Sequence, residues 1–181
     1  QEHQQASEYA GKRVGTDNLV EYKKEMGAIS NYYAGKTDLK SSDMAEKTRL
    51  EQGIYETYMQ KGHFGDNKLA NQSFKDTYAS PAYDDLMENR ERNSAIGSKL
   101  FTNEEIMSVK EEMTISHGAY TVDNIRTWQE RIKAVGQDPQ LIWEETAVGL
   151  NSTFTDMFKD GISSPSLALY LDEDGKLTQA G

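Results

Sequence analysis

Apolar side chains recur along most of this chain at alternating steps of three and four residues. The clearest run is Leu19, Tyr22, Met26, Ile29 and Tyr33, which would share one face of an α-helix. Similar spacing returns in the later segments as far as residue 158, with charged and polar residues at most of the positions between. The pattern therefore predicts a mainly α-helical protein built from amphipathic helices.

Capping residues, prolines and glycines divide this pattern into about seven helices. Serine, threonine and aspartate begin helices by accepting backbone N–H groups, proline is favoured in the first turn, and glycine commonly ends a helix. Gly97 is expected to end one helix, and Thr102 with Glu105 is expected to begin the next as a capping box. The predicted helices span residues 17–34, 43–61, 67–78, 81–96, 103–113, 122–135 and 139–160.

The apolar period changes from helical spacing to two near the C-terminus. Leu167, Leu169 and Leu171 alternate with Ala168 and Tyr170, which is typical of a half-buried strand, and the DEDG sequence at 172–175 favours a tight turn. We therefore expect a small hairpin over residues 166–178, attached to an irregular helical bundle in a single domain covering 1–181. The return strand would be short, which suggests a fragment of a longer chain.

Charge and hydropathy indicate a soluble, acidic protein. The net charge is −10 and the mean hydropathy is −0.80. The first sixty residues hold eight Lys and Arg against ten Asp and Glu, whereas the rest hold twelve against twenty. Because phosphate backbones are bound by surfaces rich in lysine and arginine, this balance argues against a nucleic-acid partner. The sequence has no apolar run long enough for a membrane span.

The absence of cysteine excludes disulfides, thiol nucleophiles and cysteine-based metal sites. Together with a first residue, Gln1, that is not methionine, it favours an exported protein, although the compartment stays open. The spacing of His3, His63 and His117 matches no metal-binding motif, so neither a metal nor a cofactor is expected. His63 with Asp66, in a glycine-bearing loop, could supply two metal ligands or an acid–base pair, but a solvated loop explains the same residues and is favoured.

Adjacent carboxylates form four pairs outside the DEDG turn, but neighbours on a helix point about 100° apart and cannot flank one bond. They are interpreted as solvated helix faces. The DEDG sequence lacks the register of a calcium loop, and the two tryptophans, Trp128 and Trp143, lie at spacings typical of a core. The pairs are Asp84–Asp85, Glu104–Glu105, Glu111–Glu112 and Glu144–Glu145.

These observations favour a non-enzymatic protein-interaction or structural domain. Its partner is expected to be another protein, which would contact the edge of the C-terminal strand. The alternative is a hydrolase acting on glycans or peptides through carboxylates, or His63, that converge in a cleft. A weaker alternative is an acidic inhibitor with a DNA-like charge array; catalytic residues and oligomeric state stay unassigned. The predicted partner-binding residues are Leu167, Leu169, Tyr170 and Leu171.

Overall fold

The computed structural model describes residues 1–115 and 121–146, and this part of the chain is mainly helical and contains no β-strand. The chain groups into two compact units, Gln1–Leu100 and Phe101–Gly181, with the boundary inside one helix. The elements are α1 (Glu2–Ala34), α2 (Ser41–Gln60), α3 (Lys68–Phe74), a π-helical turn (Lys75–Ala79), α4 (Ser80–Ile115), α5 (Val122–Ala134) and α6 (Pro139–Thr146).

Helix α1 begins at Glu2, fifteen residues before the predicted start at 17. Its first half has no apolar stripe and is instead buried at Gly11 and Gly15, which lie one turn apart. A β-carbon at Gly11 would lie 2.2 Å from the carbonyl oxygen of Ala70, and one at Gly15 would lie 1.9 Å from Oγ1 of Thr77. The two glycines therefore let α3 and the π turn lie directly against the backbone of α1.

Helix α2 agrees closely with its predicted range, but its first turn is built differently. The N-cap is Lys40, and Asp43 occupies the third helical position instead of the cap. One carboxylate oxygen of Asp43 accepts the Lys40 backbone N–H at 2.8 Å, and the other lies 2.7 Å from the Lys36 ammonium. Hydrogen bonding to Lys36 and to the Lys40 backbone lowers the pKa of Asp43.

The predicted end of one helix at residue 78 and start of the next at residue 81, which is Pro81, are wrong, because the helical backbone runs from Lys68 to Ile115 without a break. Proline cannot donate the usual backbone hydrogen bond, and its ring crowds the carbonyl one turn earlier. The chain meets both constraints with the π turn just before it, where the Ser80 N–H bonds to the carbonyl of Lys75, five residues back. A wider turn thus replaces the expected helix end.

The predicted helices 81–96 and 103–113 are likewise one helix, α4, since Gly97 does not end it. Gly97 provides a close approach instead: a β-carbon there would lie 3.3 Å from that of Met44 on α2. Because no helix starts at Thr102, Glu105 is not a capping residue. Its carboxylate pairs with Arg131 of α5 at 3.2 Å.

The first unit has a core rich in tyrosine. Tyr22 and Tyr78 are fully buried, and their rings meet edge to face with centroids 6.0 Å apart. The Tyr22 hydroxyl donates to the Ala82 carbonyl at 3.2 Å, and the Asn18 amide donates to the Tyr58 carbonyl at 3.0 Å. These contacts join α1 to α2 and α4 while satisfying the polar atoms that burial removes from water.

In the second unit, the predicted apolar face of α5 is confirmed, with Ile125, Trp128 and Ile132 buried. Thr121 caps this helix by accepting the Asn124 N–H at 3.1 Å. Trp143 on α6 is buried as well, consistent with a structural role for both tryptophans. The remainder of the predicted last helix, 147–160, and the predicted hairpin at 166–178 lie outside the described residues.

Candidate functional site

A cleft of about 540 Å³ opens on the surface of the first unit, between α2 and the run formed by α3, the π turn and the start of α4. Its volume falls in the range of binding pockets, roughly 300–1,000 Å³. Phe74 and Ala79 are buried, whereas Tyr83 is 50% exposed at the rim. The apolar lining consists of Tyr55, Met59, Phe74, Ala79 and Tyr83.

Buried Tyr78 supports the aromatic side of this cleft from below. Its ring stacks on that of Tyr55 with centroids 6.1 Å apart, and Tyr55 in turn lies 6.2 Å from Tyr83. The Tyr78 hydroxyl donates to the Tyr55 carbonyl at 2.8 Å. Burial raises the pKa of Tyr78, so this hydroxyl keeps its proton and remains a donor. The lining rings are therefore held in place before any ligand binds.

The short loop between α2 and α3 forms one end of the cleft. Gly62 is required there, because a β-carbon would lie 2.0 Å from the Phe74 ring, and Gly65 has a φ of +55°. The Asn71 side chain fixes the loop by accepting the Phe64 N–H at 3.1 Å and donating to the Gly65 carbonyl at 3.0 Å. This scaffold places His63 on the lining of the cleft.

Polar side chains lie at both ends of the apolar lining. His63 and Lys75 belong to the end next to Asn71, since Lys75 follows Asn71 by one helical turn. Asp84 belongs to the other end, where it follows Tyr83 in α4. Within the described part of the chain, these three charged or ionisable side chains make no hydrogen bond or ion pair. They border the apolar lining without a partner among the described residues.

A second polar group lies in the interior of the first unit. Glu51 is 1% exposed, and its Oε1 lies 2.9 Å from the Lys47 ammonium and 2.8 Å from the Asn93 amide. Lys47 also donates to Asn93 Oδ1 at 2.8 Å. Glu51 Oε2 is buried without a hydrogen-bond partner among the described residues. The cluster joins α2 to α4 through hydrogen bonds and an ion pair within the first unit, which fits a structural role.

Charged residues also connect α4 to α5 in the second unit. Arg131 lies 3.2 Å from Glu105 and 2.8 Å from Glu112, and it donates to Ser108 at 3.1 Å. The Trp128 indole donates to Glu112 at 2.8 Å, and this bond, with that from Arg131, lowers the pKa of Glu112. Because the donors and acceptors of these side chains bond to one another, the cluster is explained by the packing of α4 against α5 and requires no ligand.

The structure does not bring His63 and Asp66 together on the cleft. Asp66 is exposed and does not line the cleft, whereas Asp84 does. The pair Asp84–Asp85 points two ways, as its spacing predicts. Asp85 is half-buried towards Tyr22, whose pKa is raised by burial first and by the nearby Asp85 carboxylate second. No site role was predicted for Lys75 or Ser80; the signal available for a bend in the helix beside them was Pro81, a proline inside an apolar helical pattern.

The other predicted site residues contribute nothing to the cleft. His3 is exposed near the start of α1, and His117 lies outside the described residues, as do the predicted partner contacts Leu167, Leu169, Tyr170 and Leu171. Over residues 1–115 and 121–146, no three acidic or histidine side chains gather where they could hold a metal ion. In the same ranges, no helix combines the length and apolarity that crossing a bilayer requires.

Comparison with known proteins gives no relative from which a role could be carried over. No protein-family model, no curated protein and no solved structure matches this chain.

Proposed function

We propose that this protein is a non-enzymatic interaction domain and that the cleft of the first unit binds a segment of a partner polypeptide. The observation that carries the proposal is a preformed apolar lining bordered by charged side chains that have no partner within the described chain. Protein-binding sites combine these features: an apolar centre rich in aromatic residues and a polar, solvent-exposed rim.

The openness of the cleft favours a polypeptide over an enclosed small molecule. Sites for small molecules surround most of the ligand surface, whereas Tyr83 is half exposed and Ser80, Lys75 and Asp84 are exposed. Tyrosine is also enriched in protein interfaces, because its ring contributes apolar contact and its hydroxyl a hydrogen bond. An apolar side chain of the partner would fill the centre while its backbone stays at the surface.

Photo-crosslinking tests this proposal. A photoreactive phenylalanine analogue replaces Tyr83 in the full chain, and the matched control carries it at Tyr32, which is 66% exposed and lies away from the cleft. In an extract of the source cells, position 83 should give a discrete protein adduct that position 32 does not. The adduct should be lost when Ser80→Trp fills the cleft. Equal adducts at both positions, or none at 83, would refute the proposal.

A second proposed contact is the strand edge predicted at Leu167, Leu169, Tyr170 and Leu171. It rests on the alternating apolar pattern of those residues and on the tendency of open strand edges to pair with other chains. Deleting residues 166–181 should reduce association with the partner while far-UV circular dichroism retains the helical signal. If the deletion unfolds the helices, the segment belongs to the core and is not a docking strand.

The hydrolase alternative draws support from one feature, the presence of His63 and Asp84 on the same cleft. Glycoside hydrolysis ordinarily needs two carboxyl groups, roughly 5–10 Å apart, and among the described residues Asp84 is the one carboxylate in this lining. A screen with chromogenic glycosides and peptides would decide it. Turnover that disappears in Asp84→Asn and in His63→Gln would establish an enzyme and displace the binding proposal.

A further inference from the structure

The charged side chains of the cleft are segregated by sign along its length. The Phe64 N–H bonds to Asn71 and the Tyr78 hydroxyl bonds to Tyr55, so α2 runs antiparallel to the opposite wall. This register puts His63 at the same end as Lys75 and puts Tyr55 at the same end as Tyr83 and Asp84. The cleft consequently has a basic end and an acidic end with apolar side chains between them.

The distance between the two ends sets the length of the ligand that can reach both. Lys75 and Asp84 are nine positions apart along a helical run, which corresponds to about 13 Å at 1.5 Å per residue. An extended peptide advances about 3.3–3.6 Å per residue, so about four residues cover this span. A single amino-acid side chain cannot contact both ends, whereas a short peptide segment can.

We infer that the occupant of the cleft is a short extended segment of a partner chain with a large apolar side chain at its centre, an acidic residue on one side and a basic residue on the other, about four positions apart. This inference rests on the proposed function. The acidic residue faces Lys75 and His63, and the basic residue faces Asp84. An occupant without charges would fill the apolar centre but leave Lys75 and Asp84 without ion-pair partners, whereas complementary charges give both a partner and fix the orientation of the segment.

Selection from a displayed library of random peptides tests the inference with the full chain as bait. The variants are Lys75→Glu, Asp84→Lys, the double charge reversal and Ser80→Trp. Lys68→Glu and Glu88→Lys serve as matched controls, because both residues are exposed on the same helical run and do not line the cleft. Circular dichroism confirms that each exposed substitution leaves the fold intact.

The wild-type chain should enrich peptides with an apolar centre and the stated order of charges. Each single reversal should weaken their binding roughly three- to ten-fold, and the two controls should leave it unchanged. The double reversal should select the opposite order of charges, and Ser80→Trp should lower affinity at least roughly tenfold. Enrichment of peptides with no charge order, or binding unaffected by the cleft variants, would overturn the inference.

The same experiment separates this inference from the proposal on which it rests. Peptides that bind the full chain, ignore the cleft variants and lose affinity when residues 166–181 are deleted would refute the charge-ordered cleft and still support an interaction domain. A library that yields nothing above an unrelated protein bait would refute both. Peptides that follow the charge reversals while ignoring the C-terminal deletion would support the cleft as the site.

Discussion

Replacing Gly11 by alanine should separate α1 from α3, and Gly27 in the same helix offers the matched control. A β-carbon at Gly11 would lie 2.2 Å from the Ala70 carbonyl oxygen, so restoring an ordinary contact of 3.4 Å requires a shift of about 1.2 Å. The obstacle is backbone, which cannot rotate away as a side chain can. At Gly27, by contrast, nothing lies within 4 Å of the added atom.

Both substitutions replace glycine by alanine inside one helix, so the helix-propensity gain of about 1 kcal/mol is common to them. Gly27→Ala should therefore raise the free energy of unfolding by roughly 0.5–1 kcal/mol. Gly11→Ala adds an overpacking cost of about 1–3 kcal/mol, at the upper end of that range because the contact is with backbone. The two variants should differ by about 2–3 kcal/mol, and this difference isolates the steric effect.

Urea titration followed by far-UV circular dichroism measures both free energies, and the near-UV tyrosine signal reports on the first unit, which holds eight of the ten tyrosines. Free energies of unfolding that agree within about 0.5 kcal/mol between the two variants, the usual scale of a neutral surface substitution, would contradict this prediction. Agreement at that level would mean that α1 and α3 do not approach closely at Gly11.

Three further results are expected. Lys47→Met should lower the free energy of unfolding by about 3–5 kcal/mol in urea titration, because it leaves the Glu51 carboxylate buried without its ammonium, and adding Glu51→Met should restore part of the loss. Burial raises the pKa of Tyr22 above the ordinary 10.0, so only the unfolded state ionises it just above that pH; stability should decline as the pH rises past 10, and less steeply in Tyr22→Phe. The indole hydrogen bond lowers the pKa of Glu112 below the ordinary 4.5, so its contribution to stability is present above pH 4.5 and is lost as the pH falls through the folded pKa; Trp128 fluorescence should change over that window and stay constant in Glu112→Gln.

The spacing of apolar residues predicted the helical class because it reflects the burial of one face of each helix. Helix α5 is the clearest example. Ile125, Trp128 and Ile132 have the spacing of a buried stripe, and all three are buried, whereas the cap at Thr121 was not predicted. Helix α2 was predicted nearly as well. In both, the signal lies within the element itself.

The first half of α1 carries no such local signal. Its burial depends on Gly11 and Gly15 meeting Ala70 and Thr77, some sixty residues later in the chain, and glycine by itself argues against a helix interior. The rule that glycine ends a helix gave a wrong prediction at Gly97, which lies within α4 and lets Met44 approach closely. Glycine marks a close contact as readily as a helix end, and the sequence alone does not distinguish the two.

The cleft could not be predicted from the sequence for a similar reason. His63 was identified as an ionisable residue, but Asp84 lines the same cleft, at its opposite end, only because α2 lies antiparallel to the helical run beyond it. Lys75 was not identified at all, since the π turn that begins there was predicted as ordinary helix followed by a restart at Pro81. Long-range register and an unusual turn are the two features that local patterns omit.

The π turn also sets the direction in which the side chains of α3 face relative to those of α4. Each of its bonds skips one residue more than an α-helical bond, which amounts to an insertion of about 100° in the direction that side chains face. Deleting a single residue between Lys75 and Ala79 would remove that offset and turn α3 away from α1 without changing the composition of either helix. The length of this five-residue turn therefore constrains the protein as strictly as the identity of any side chain in it.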